Sequence, residues 1–330
     1  MNHKKTFSKI GLILFIGTIL NIMIRRLAGY LSMFVTYSIP SGDFHFLVQM
    51  LSMYFVTFPI IFFLFKAVPT QPVIEQKKMK ISHLITTILI SYATTFLLNL
   101  LGTLIIGAIG MMMSNEVEHV MMTITGSISP FTNFLIIVIC APIMEELLFR
   151  KAIISRVSHY GEKIAILFSA TLFGLFHGNL LQFGYAFVLG LFFGFIFVKT
   201  GRLLYTILLH MSVNFLGSFI GPIILEKTGA LEFLNKFNEL SGNETFYSEL
   251  MDITMEHMNG LLLLGLYEIF LLVMVITGLV LLIKSRKKFI CNPGEITIEK
   301  GKRFTTMFIN LGAILFCGFW LAQMVLQLFG

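Results

Sequence analysis

Nine apolar stretches recur along this chain, at residues 7–24, 46–65, 83–113, 128–149, 163–178, 182–198, 203–224, 259–283 and 304–329. About 20 helical residues cross a hydrocarbon core, so each run is a candidate span. The fifth and sixth are short and are parted only around Asn179 and Gln182, which leaves the count at eight or nine. Composition excludes the soluble alternative. Charged residues make up 12% of the chain and hydrophobic ones 56%, whereas a soluble domain carries about 25% charge. The expected fold is all-α, a polytopic membrane helical bundle of about eight or nine transmembrane helices.

A formal charge of +7 would suit nucleic acid if the cations formed a patch, but they lie in short loops between apolar runs. With the N-terminus in the cytoplasm, 20 of the 24 Lys and Arg fall on the cytoplasmic side, and only Arg25, Arg26, Lys227 and Lys236 fall outside. Cationic loops resist translocation, so this split orients the chain. The expectation is an integral membrane protein of the bacterial cell membrane, N-terminus cytoplasmic, with membrane lipid and no nucleic acid among its partners. The first run starts basic like a signal peptide, yet Arg25 and Arg26 follow it without a small-residue cleavage pattern, which reads as a retained anchor.

Residues 1–125 are read as N-terminal membrane helices, 126–224 as a membrane core, 225–258 as an acidic external loop and 259–330 as C-terminal membrane helices. Between Lys284 and Arg303, the turn Cys291-Asn292-Pro293-Gly294 followed by alternating Ile296-Thr297-Ile298 predicts a basic cytoplasmic hairpin. Cys140, Cys291 and Cys317 are far apart and carry no metal or redox spacing.

An ionisable side chain within hydrocarbon costs about 2.5–3.5 kcal/mol, so those present face a cavity or one another. Glu145, Glu146, Arg150, His177, His210, Asn214 and Glu268 lie in or at the ends of apolar runs, and all but Glu268 fall between 145 and 214. On a helix, Glu146 and Arg150 are separated by about 40° and Glu145 and Arg150 by about 140°. The arginine therefore suits Glu146 and leaves Glu145 facing another side. Phe173 shares a face with His177, and His210 with Asn214, each at four-residue spacing. Any one of these segments is also satisfied by ordinary interhelical hydrogen bonding. Together they supply a carboxylate, a histidine and a His/Asn pair from three helices, a set suited to hydrolysis by an activated water with donors for the developing oxyanion.

Glu145-Glu146-x-x-x-Arg150, Phe173-x-x-x-His177 and His210-x-x-x-Asn214, in that order, resemble the three motifs of the CAAX prenyl protease and bacteriocin-processing family of intramembrane endopeptidases, also called the Abi family. The resemblance covers about residues 130–220. It implies an all-helical membrane core with the active site inside the bundle, acting on a peptide or protein substrate. Carried over by position, Glu145 activates water with His177, His210 and Asn214 bind the oxyanion, and Glu146 and Arg150 brace the first motif, with Phe173 supporting. A divalent metal such as zinc could in principle be held by Glu145, His177 and His210, although the chain lacks the His-Glu-x-x-His helix of the common zinc proteases. The competing class is a non-catalytic membrane protein: an immunity factor, a scaffold, or a proton- or cation-coupled transporter.

Depth adds one expectation. A fourth helix ending at Arg150 puts Glu145 about 8 Å from the cytoplasmic end, whereas His177 sits about 20 Å up its own span. Extending that helix to about Ser158, with a kink near Pro142, brings the two level.

Overall fold

A computed structural model describes residues 3–32, 41–70, 74–113, 128–230, 233, 236–237 and 246–329. Among the described residues, eight helices are long and apolar enough to cross a membrane. We label the helices α1 (His3–Ser32), α2 (Asp43–Phe65), α3 (Ile81–Met113), α4 (Pro130–Tyr160), α5 (Glu162–Phe176), α6 (Leu180–Thr200), α7 (Leu203–Lys227), α8 (Phe246–Glu256), α9 (Met258–Ser285) and α10 (Leu311–Phe329). The protein is a polytopic all-α membrane bundle. Apolar side chains project outward all along α9, from Leu262, Leu266 and Ile269 to Ile276, Val280 and Ile283. Such a face is stable against lipid and not against water.

Predicted span five is α5, and at 15 residues it measures about 22 Å, short of a 30 Å hydrocarbon core. It still reverses the chain. Glu162 at its start pairs with Lys199 at the end of α6 at 2.5 Å, so α5 and α6 form an antiparallel hairpin with level basic ends. Its tip is Gly178, at φ +70°, a conformation with little penalty only for glycine. A Cβ there would also lie 2.6 Å from Cζ3 of Trp320 on α10. Asn179 then caps α6, its Oδ1 accepting from Gln182 N at 2.8 Å.

Helix α4 runs as far as the depth argument requires, to Tyr160. It begins on the Ser129 cap and Pro130, and Asp43 of α2 accepts the Ser129 N–H at 2.7 Å. Near Pro142 the backbone widens to π geometry, over Phe134–Cys140 and again over Leu147–Ile154. Core helices α4–α7 are flanked on one side by α1, α2 and α10 and on the other by α3 and α9. Helices α1 and α10 meet through Gly11 and Gly312, where a Cβ on Gly312 would lie 1.9 Å from Ser8 O. Small residues permit that backbone approach.

One expectation needs correction. The predicted 284–303 hairpin does not form: no strand occurs among the described residues, and Pro293 instead bridges to Gly161 while Ile296 N donates to His159 O at 3.0 Å. The orphaned groups at the α4–α5 junction pair with this segment, and Ile298 is buried beneath it, so the alternation fits a strap across the bundle's end. Within the acidic 225–258 segment, residues 246–256 are helical, as α8; Glu232, Glu239 and Glu244 lie outside the described residues.

Candidate active site

Pro142 explains the local backbone of α4. It has no N–H to give, and the Ala141 N–H is diverted to Ile136 O in the π register. Ile137 O thereby loses both possible donors from its own helix. Asn214 of α7 supplies the replacement, its Nδ2 donating to Ile137 O at 2.9 Å. One amide hydrogen and the amide oxygen of Asn214 remain.

Glu146 and Arg150 form the pair expected from the helical wheel. Both side chains are fully buried; Arg150 Nη2 donates to Glu146 Oε1 at 3.1 Å, and Nε lies in ion-pair contact with Oε2 at 2.9 Å. Arg150 Nη1 reaches Ser169 Oγ at 3.4 Å, and that hydroxyl donates to Phe149 O at 2.7 Å. The guanidinium also lies over the Phe173 ring, 4.6 Å from its centroid, a favourable cation–π placement.

Phe173 is the common neighbour of all three motifs. Beyond Arg150, its ring meets His177 edge-on at 4.9 Å and His210 edge-on at 5.7 Å. The α5 stripe Ser169, Phe173, His177 thus places a hydroxyl, a ring and an imidazole along one face.

Both imidazoles have one nitrogen committed. His177 Nδ1 lies 2.9 Å from Phe173 O, and His210 Nδ1 lies 3.2 Å from Glu146 Oε1. A carbonyl and a carboxylate only accept, so each Nδ1 carries a proton. Each Nε2 is therefore the nitrogen left to face a reactant. His210 Nε2 is 3.8 Å from Glu145 Oε2, beyond hydrogen-bond length. Glu145 Oε2 is buried and accepts no hydrogen bond from any described residue. Tyr54 of α2 is buried in the same apolar core as Phe149 and Phe173, and Tyr185 of α6 packs against that core.

Glu145, His177 and His210 carry the right donor types for zinc, with Nδ1–H held by an acceptor as metal-binding imidazoles require. No group of three His, Cys, Asp or Glu among the described residues converges closely enough to hold a metal ion. The arrangement as it stands does not fit one, and the chemistry below is that of the protein's own groups.

The wheel argument did not reveal the His210–Glu146 bond, because it concerned one helix at a time. Ser169 had a readable signal in its four-residue spacing from Phe173. Tyr54 and Tyr185 had none, since an isolated tyrosine in an apolar run is ordinary core.

Residues 127–216 match the family model described as Rce1-like, type II CAAX prenyl endopeptidase. That interval holds every motif residue above. No curated protein and no solved structure matches the chain.

Proposed function

Because residues 127–216 match the family model of type II CAAX prenyl endopeptidases, we propose that this protein hydrolyses a peptide bond within the bundle, using Glu145 as the base. The observation that carries the reading is the contrast between adjacent acids. Glu146 is bound by Arg150 and His210, while Glu145 keeps a buried oxygen without a hydrogen bond, 3.8 Å from His210 Nε2. A carboxylate in that state is free to take a proton.

In the proposed reaction a water donates one proton to Glu145 while its oxygen attacks the scissile carbonyl. His177, whose Nε2 accepts, orients the same water. The developing oxyanion is met by the free amide hydrogen of Asn214 and by His210. For His210 to donate at Nε2, both ring nitrogens must carry protons, one facing Glu146 and the other the oxyanion. The proton on Glu145 then passes to the leaving amine as the C–N bond breaks. Glu146, Arg150 and Ser169 touch no reacting atom and hold the two helices in register.

A comparison of membrane and secreted peptides from cells carrying the wild-type protein, Glu145→Gln or no copy tests the reading. Products present with wild type and missing from both other samples are expected. Cleavage at the wild-type rate by Glu145→Gln would refute the assignment, and cellular function retained without any proteolysis would favour a scaffold or immunity role.

A further inference from the structure

A cavity lies beside the site helix. It has a volume of about 840 Å³ and opens between α2, α4 and the α6–α7 turn, where Leu147, Lys151 and Ser155 of α4 face Phe62 of α2 and Arg202 and Leu203 of the turn. Glu145, His177, His210 and Asn214 do not line it. Its location is the end of the bundle where the basic loops gather: Lys77 N donates to Thr200 O, and the Arg156 guanidinium reaches the end of α2.

The cations here differ in how they are satisfied. Arg156 is fully engaged, donating to the carbonyls of Phe65, Val68 and Ala152 at 2.8–3.2 Å. Lys151 and Arg202 have no acidic partner among the described residues, and the neighbouring Glu75 is paired with Lys77 at 2.8 Å. Arg202 Nε is buried without a hydrogen-bond partner. Lys151 is exposed in the cavity wall, so its ammonium is open to an anion entering there. A buried donor such as Arg202 Nε is costly to leave unpaired.

We propose that this cavity binds an anionic phospholipid, with the phosphodiester held between Lys151 and Arg202 and an acyl chain along Phe62, Leu203 and Leu204. Charge complementarity calls for one anion. The apolar walls call for a tail on the same molecule, and the exposed Leu204 and Phe63 at the rim continue them onto the lipid-facing surface. Free phosphate would use the cations alone. The bilayer supplies an amphiphile of this kind at this level, because anionic headgroups concentrate where basic segments lie. A lipid seated here touches the turn of α4 that follows Glu146 and stiffens the helix on which the site is built. Lipid binding here does not require peptide hydrolysis.

The full-length protein, purified in neutral detergent, tests this by native mass spectrometry and thermal melting with phosphatidylglycerol or phosphatidylcholine. Selective retention of phosphatidylglycerol and a higher Tm in its presence are expected. Lys151→Gln and Arg202→Gln should each weaken retention about fivefold, while Lys284→Gln and Lys287→Gln, basic but outside the cavity, leave it unchanged. Equal retention of both lipids, or undiminished selectivity in the double variant, overturns the proposal. So does inorganic phosphate raising Tm as far as phosphatidylglycerol, which marks a soluble-anion site, or displacement of the lipid by a peptide through its C-terminal carboxylate, which marks a substrate site. Should the double variant fail to fold, Leu204→Trp in the otherwise wild-type chain decides: quenching by brominated phosphatidylglycerol above that by brominated phosphatidylcholine supports the site, and equal quenching refutes it.

Discussion

Asn214 Nδ2 donates to Ile137 O at 2.9 Å, across the interface of α4 and α7. The bond fills a position that Pro142 has emptied within its own helix, so the two residues form a coupled pair although they do not share a motif.

The coupling is measurable. Asn214→Ala leaves the half-buried Ile137 carbonyl without a donor and should cost about 1 kcal/mol in stability. Pro142→Ala restores an N–H that can reach Ile137 O in the π register, so the Asn214→Ala cost should shrink in the Pro142→Ala background. Additive losses across this double-mutant cycle, followed by thermal unfolding in detergent, would show that Pro142 does not create the need for Asn214.

Adjacent acids should respond in opposite ways. Glu145→Gln is expected to abolish peptide cleavage with a Tm close to wild type. Glu146→Gln strands the Arg150 charge in the interior and should destabilise by about 3–5 kcal/mol. The contrast fails if Glu146→Gln melts like wild type or Glu145→Gln retains turnover.

His210 can be divided by its nitrogens. An Asn side chain places an amide donor near the Nδ1 position, and Gln places one near Nε2. His210→Asn should keep the bond to Glu146, and with it most of the stability, while losing about 10²–10³ in kcat as an oxyanion donor is lost. His210→Gln should melt at a lower temperature than His210→Asn. Identical melting of the two would argue against the Nδ1–Glu146 bond as a support.

Gly178 sets the position of His177. Gly178→Ala meets both the positive φ and the Trp320 ring, and should lower both stability and turnover. Trp320→Ala added to it relieves the clash and not the backbone strain, so rescue is expected to be partial. Full rescue would mean that φ at this position carries no cost.

How far this architecture could be read in advance depended on whether a feature belonged to one helix. Spans follow from apolar runs, and the Glu146–Arg150 pair follows from the angle between neighbours on a wheel. Even the continuation of α4 beyond Arg150, to about Ser158, followed from requiring Glu145 and His177 to lie level, and the helix runs to Tyr160. The π segment over Phe134–Cys140 was not legible, because it expresses how Pro142 and the facing Asn214 settle one carbonyl between two helices. The same holds for His210 on Glu146. The 291–298 segment misled for a related reason: alternation was taken as pairing with itself, whereas its backbone partners lie at 159–162, more than a hundred residues away in sequence.

The glycine contact between α1 and α10 has a consequence for biogenesis. These are the earliest and latest helices of the described chain to leave the ribosome, and Trp320 of α10 is what packs over Phe176 and Gly178. The α5–α6 tip beside His177 is therefore uncovered on that side until α10 has been made. A nascent protein arrested before residue 311 would sit in the bilayer without Trp320 over that tip, a form that quality-control machinery could distinguish from the finished one.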